Sequence, residues 1–309
     1  MNSIVKILVV NILLILSFLN GFAQTGNEFW FCVPQLTAQH EKDEPKLFLT
    51  NATDSRIIVT IEMPRNTTGF AKQELTIEPH SQVNYNFKSY FNDEPKDKDR
   101  PNIIESGWAG ESCVVTNKGI HITATGLITA YLQRGNTNNC DIWALKGKNA
   151  YNGADGKIEP DEDMFIVPLE DIGNVDEFHS GASHMNIDVA NYRPGAWYAV
   201  DIVAVEDGDV TVTLPTDGQG NITLQIDNWG TSNPTRTFSM QRGQTLNLQA
   251  ASRNKLAKSG GGIVVTSTGK IAVQWKDDSL LAKYVNESEG GKGTSWDAAG
   301  DQLVQVSLA

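Results

Sequence analysis

The residues of this chain that could do chemistry fall in a few short stretches. The most suggestive is YNGADGKIEPDED (151–163), whose second half has the make-up of a calcium loop. Calcium needs several hard oxygen ligands and a glycine where the backbone turns sharply between them. Asp155, Gly156, Ile158 and Glu162 fall at that spacing, with Asp161 and Asp163 beside them. The first two ligand positions land on Tyr151 and Gly153, which carry no carboxylate, and Pro160 stands where the exit helix of an EF-hand would begin. Asp155, Asp161, Glu162 and Asp163 are therefore the metal candidates, for Ca²⁺, against the ordinary alternative of a solvated acidic linker; no other cofactor is expected. His179 and His184 in HSGASH could share a metal, but no third ligand accompanies them in the sequence. His80 falls at a turn and His121 in a strand-like run, where a satisfied, half-buried imidazole is expected.

Other chemistries leave no trace. There is neither a G-x-S-x-G nor an H-E-x-x-H pattern, and no glycine-rich loop opens a helix. No catalytic residue is nominated, and the chain is expected not to be an enzyme. Cys32, Cys113 and Cys140 are an odd set of three, so at most one disulfide forms within the chain, and spacing does not choose the pair. Trp108 in SGWAG and Trp229 in DNWGTSNP lie in loop-like stretches and are the ligand-binding candidates. A loop tryptophan can stack on a sugar or anchor a protein interface, or it can fold back over the end of a sandwich.

The 309 residues carry a formal net charge of -12, with 40% hydrophobic and 20% charged side chains. That balance builds cores and disfavours nucleic acid as a partner, because phosphate binding needs clustered Lys and Arg. Residues 1–23 read as a secretory signal peptide: Lys6, the apolar run ILVVNILLILSFLNGFA, and small residues before Gln24. No later stretch is apolar for long enough to span a bilayer as a helix, so no transmembrane segment is expected after signal removal. The expected location is extracellular or on the outer-membrane surface.

The elements that would position any site are strands, and they recur. VTIEMP (59–64) lies on VTVTLP (210–215), ELTIEPHSQVNYNF (74–87) on TFSMQRGQTLNLQA (237–250), and ITATGLITAYL (122–132) on VTSTGKIAVQW (265–275). Strand side chains alternate faces, so a slip of one residue would turn every apolar side chain outward. The phase is kept: Val59, Ile61 and Met63 answer to Val210, Val212 and Leu214, and Ile128, Ala130 and Leu132 to Ile271, Val273 and Trp275. Asp207-Gly208, Gly126 and Gly269 are expected at tight turns. The sequence thus predicts an all-β chain of two tandem duplicated antiparallel β-sandwich modules with little helix: 24–146, an acidic linker over 147–163, and 164–285. Residues 286–309 are expected to be a loop and the start of a truncated further module.

Several motifs in this order carry a family resemblance. TGNEFWF after the signal, KGIHITATGLITAYL, DIWALKG, IVAVEDGDVTVTLP with MQRGQTLNLQA, and DAAGDQLVQV together resemble the N-terminal region of IgGFc-binding-protein-like proteins, in a Bacteroidetes-type secreted version. The chain departs from that pattern at Gln305, where the family has Pro. The resemblance implies an exported, non-enzymatic recognition or adhesion module whose partner is a host or matrix protein or a glycan. A passive structural spacer within a larger surface protein is the alternative, and a glycan-active hydrolase a more distant one.

Overall fold

The computed structural model describes residues 25–35, 44–90, 103–107, 111–135, 140–147, 163–166, 199–224, 226–249, 262–286, 291–303 and 306–307. The first half holds β1 (Thr25–Phe31), β2 (Val33–Pro34), β3 (Lys46–Asn51), β4 (Ile57–Glu62), β5 (Gln73–Ile77), β6 (Ser81–Asn86), β7 (Glu105–Ser106), β8 (Val115–Thr116), β9 (Ile120–Gly135) and β10 (Cys140–Ala144). The second holds β11 (Asp163–Ile166), β12 (Ala199–Ala204), β13 (Gly208–Thr213), β14 (Thr235–Met240), β15 (Thr245–Gln249), β16 (Val264–Ser267), β17 (Ile271–Asn286), β18 (Gly291–Gln302) and β19 (Val306–Ser307). Among the described residues the single helical element is a 3₁₀ turn, Lys88–Tyr90. The fold is all-β and sandwich-like, as the alternation predicts.

In the first half one long strand serves both layers. The N-terminal part of β9 pairs with β1 and β4, and its C-terminal part with β3 and β10. In the second half that role is divided. There β16 pairs with β11 and β13, and β17 with β12 and β18, with a break at Thr268–Lys270. The outer hairpin strands follow suit, β5 on β4 and β6 on β3, β14 on β13 and β15 on β12.

The registers coincide residue by residue. Val59 faces Ala124 and Leu75, and its counterpart Val210 faces Ser267 and Phe238. Leu49 faces Ala130 and Val83, where Ile202 faces Val273 and Leu246. The correspondence reaches elements whose sequences do not align by eye: Phe29 opposes Ile122 as Phe165 opposes Val265, and Leu145 donates to Ala130 O as Leu303 does to Val273 O. Even the turns agree, since His80 and Gly243 occupy matching places, both with left-handed φ, at 50° and 82°.

Each half closes its own core. Phe29, Leu47, Leu49, Val59, Ile61, Ile122, Leu132 and Trp143 belong to the first, and Val200, Ile202, Val210, Val212, Val265, Ile271 and Val273 to the second, all buried. Leu75, Val83, Tyr85, Phe238 and Trp275 lie on the expected faces but are only partly buried.

Three expectations change. Gly126, Gly208 and Gly269 do not adopt left-handed φ. Gly208 and Gly269 are required by close approach: a Cβ on Gly269 would meet Asp207 O at 2.5 Å, and one on Gly208 would meet Gly269 N at 2.6 Å, whereas Gly126 lies inside β9 and a Cβ there would meet only the Ile57 side chain, at 3.0 Å. Second, the segment assigned to a further module completes the second half: β18 pairs with β17 in the place β10 takes beside β9, and Leu303 packs on the second core. A lone strand rich in Ala, Gly and Asp carries no local signal for which sheet it joins. Third, Val115 and Thr116, assigned with the rest of 24–146 to the first module, pair as β8 with β15 in the second half.

The glycine geometry separates two substitutions. Gly269→Ala drives a methyl into backbone and should cost at least about 2 kcal/mol, while Gly126→Ala meets a side chain that can move and should cost less than about 1 kcal/mol. Urea melts of the two variants check the order; equal losses would contradict it.

Candidate functional site

The polar groups concentrate where the halves meet. On the outside of the β12–β15–β17 layer one row reads Asn247, Asp201, Gln274 and Gln302, in register across four strands. In an isolated sandwich these side chains would face water. Here each is buried, because residues 30–35, 105–107 and 111–116 of the first half lie over them. The Gln274 amide takes both polar groups of one residue, accepting from Cys32 N at 3.3 Å and donating to Cys32 O at 2.9 Å. Gln302 donates to Trp30 O, Lys276 Nζ to Gln35 O, and Asn247 Nδ2 to Asp201 Oδ1 at 2.8 Å. From the first half, Arg134 donates through Nε to Pro34 O and through Nη2 to Glu105 at 2.7 Å, an ion pair with no exposed side-chain surface. A small apolar cluster of Trp30, Cys32, Val203, Val205 and Ala272 seals the same joint.

At the rim of this seam sits His121. Its ring stacks on Trp30, centroids 4.0 Å apart, with Nδ1 3.2 Å from Glu62 and Nε2 3.3 Å from Glu28. Arg242 from the second half stands 5.0 Å over the same indole, which also donates to Glu28. Burial pushes the imidazole below its ordinary range; Glu62 and Glu28 pull it up, Arg242 adds to the lowering, and burial outweighs the carboxylates. Burial likewise raises Asp201, against the lowering by the nearby Ser106 hydroxyl and by the hydrogen bond from Asn247.

The cysteines fit a structural role. Cys32 is a buried free thiol held well above its ordinary range by burial, and Cys113 is a half-buried free thiol whose Sγ lies 3.3 Å from Asp227 O. Neither is a thiolate poised to react. The Cys140 side chain lies outside the described residues.

Of the two tryptophan candidates, Trp229 is 6% exposed in the second core, with Nε1 bonded to Asn233 O and Arg236 lying 5.1 Å over the ring. It takes the packing role, leaving no open ring face for a ligand. Trp108, Asp155, Asp161, Glu162, His179 and His184 lie outside the described residues, and Asp163 heads β11. Among the described residues no three His, Cys, Asp or Glu side chains converge as metal ligands would, and no helix is long and apolar enough to cross a membrane.

What sequence reading missed is the counterpart of the buried row. In the first half the same register positions hold Asn84, Phe48, Tyr131 and Ala144. None of them belongs to a core: Asn84 is exposed, and Phe48, Tyr131 and Ala144 are part-exposed. One neighbouring row is Gln82, Thr50, Thr129 and Thr25, and the other Asn86, Lys46, Gln133 and Ile142, the last 55% exposed. The signal was in the sequence: in KLFLTN and ITAYLQ the residues between the inward ones are aromatic, hydroxyl and amide rather than charged.

No family model matches this chain, and no curated protein matches it.

Two measurements follow from the seam. Gln274→Ala leaves the Cys32 N–H and C=O buried without partners, and at about 1–3 kcal/mol per orphaned group the loss should be roughly 2–6 kcal/mol in a urea melt; a loss below about 0.5 kcal/mol would contradict the geometry. For His121 a depressed native pKa means that the native state binds fewer protons than the unfolded chain. Its contribution is therefore present above the unfolded value of about 6.5 and is lost as pH falls below it. Stability measured from pH 8 to 5 should fall more steeply than in His121→Gln, and identical slopes would refute the depressed pKa.

Proposed function

We propose that this chain is a non-enzymatic recognition or adhesion module, exported and displayed outside the cell, built from two copies of one sandwich unit. The shared registers support the duplication. The signal-like N-terminus and the motif resemblance to the IgGFc-binding-protein-like N-terminal region support the location and the role. The observation that carries the reading is an asymmetry. One sheet face of the second half is consumed in holding the halves together, while on the matching face of the first half Asn84 is exposed and the aromatic side chains of Phe48 and Tyr131 are part-exposed, outside both cores. Binding functions sit on surfaces that a rigid scaffold presents, and the seam supplies that rigidity.

A chain of this kind binds something with saturation. Surface-immobilised protein screened against an array of glycans, matrix proteins and immunoglobulin should show at least one saturable partner, lost on thermal unfolding. A folded chain that captures nothing from such an array would instead support the passive spacer.

A further inference from the structure

Resting on that reading, we infer that the part-exposed outer face of the β10–β9–β3–β6 layer is a binding platform for an uncharged glycan chain. Phe48 and Tyr131 stand directly opposite one another on adjacent strands, so their side chains share one face, outside every core. An aromatic surface suits the apolar C–H face of a pyranose ring. Asn84 and Gln82 flank Phe48 on one side, already in line through Gln82 Nε2 to Asn84 Oδ1 at 3.0 Å, and Gln133 lies beside Tyr131 along the same strand. Amides both donate and accept, as sugar hydroxyls do.

Charge and size choose the occupant. In a chain of net charge -12 the three rows of this face contain a single charged residue, Lys46. The edge of the face carries one charge of each sign, Lys46 and the Glu44 carboxylate to which Asn86 donates at 2.9 Å, so it offers little net attraction to an anionic or cationic partner, and the hydrogen-bonding groups beside Phe48 and Tyr131 are uncharged. Strands about 4.8 Å apart and rows about 6.8 Å apart give an area on the order of 200 Å². That is roughly a quarter of the 800 Å² per partner that a stable protein interface buries, and it suits a few sugar residues laid across the strands. The buried row of the second half sharpens the contrast. There Asp201 and Gln274 replace Phe48 and Tyr131 and take part in a network that holds protein backbone. The first half lacks those groups, so its face is not a second copy of the protein-binding one.

The test uses the full chain in affinity electrophoresis and calorimetry against neutral polysaccharides (β-glucan, xylan and galactomannan), with polygalacturonate as the anionic comparison. Phe48→Ala and Tyr131→Ala should each weaken binding to a neutral polymer at least about tenfold, with thermal melting within a few degrees of the parent. Thr76→Ala, on exposed β5, should leave binding unchanged. Retardation by none of the neutral polymers, or by polygalacturonate alone, overturns the proposal. So does neutral-polymer binding that both aromatic variants retain, which would leave recognition intact but place it on another surface. A dimer in sedimentation that Tyr131→Ala dissociates would assign the face to a second copy instead. Array binding to proteins only, untouched by either variant, removes the glycan platform without removing the recognition reading.

Discussion

The structure depends on the burial of a polar sheet face. Asn247, Asp201, Gln274 and Gln302 alternate with core residues and would be solvated in a free-standing sandwich. Once covered, each must find a partner, because an unpaired buried polar group costs about 1–3 kcal/mol. For the two glutamines the partners come from the other half, backbone at Cys32 and Trp30, while Asn247 and Asp201 bond to each other. Packing of apolar surface alone would let the halves slide. A side-chain amide that fits both the N–H and the C=O of one residue fixes a position, in the way a sheet neighbour would.

This constraint organises the rest. It explains why the segment after β6 leaves its own half: β8 and Ser112 close the exposed edge of β15, which is therefore buried along its whole length. It explains the buried Arg134–Glu105 pair, since Arg134 also holds Pro34 O and so braces the segment lying on the second half. Such a pair adds little net stability over an apolar replacement, but losing one partner is expensive, so it acts as a lock on register more than a source of folding energy. His121, Trp30 and Arg242 continue the joint to the surface.

Much of this was legible in the sequence, and the failures have physical causes. The period-two phase of VTIEMP and VTVTLP placed Val59 and Val210 inside, and both are buried. Alternation reports which face a residue lies on. It does not report what later covers that face, so Asp201 and Gln274 read as solvent-facing. Glycine is equally ambiguous: Gly208 and Gly269 look like turn residues, and their role is to let two backbones touch. Within 286–309, read as a loop and an opening strand, residues 291–302 pair with β17, and a closing strand and an opening strand look alike in sequence. Trp229 shows that a loop tryptophan is as readily a cap as a ligand platform, whereas Phe48 and Tyr131 passed as ordinary strand residues because each alone is unremarkable. Their opposition appears only with the register.

The central claim is that the two sandwiches are one cooperative body joined through the covered face. Native-state hydrogen exchange of the Cys32 and Cys113 amides tests it most directly, since they bond across the joint to Gln274 and Asn247. The account predicts that both exchange only through global unfolding, with the same denaturant dependence as Val200 and Leu248 in the second core. Exchange of these amides by a separate low-energy opening, while both cores stay protected, would contradict it.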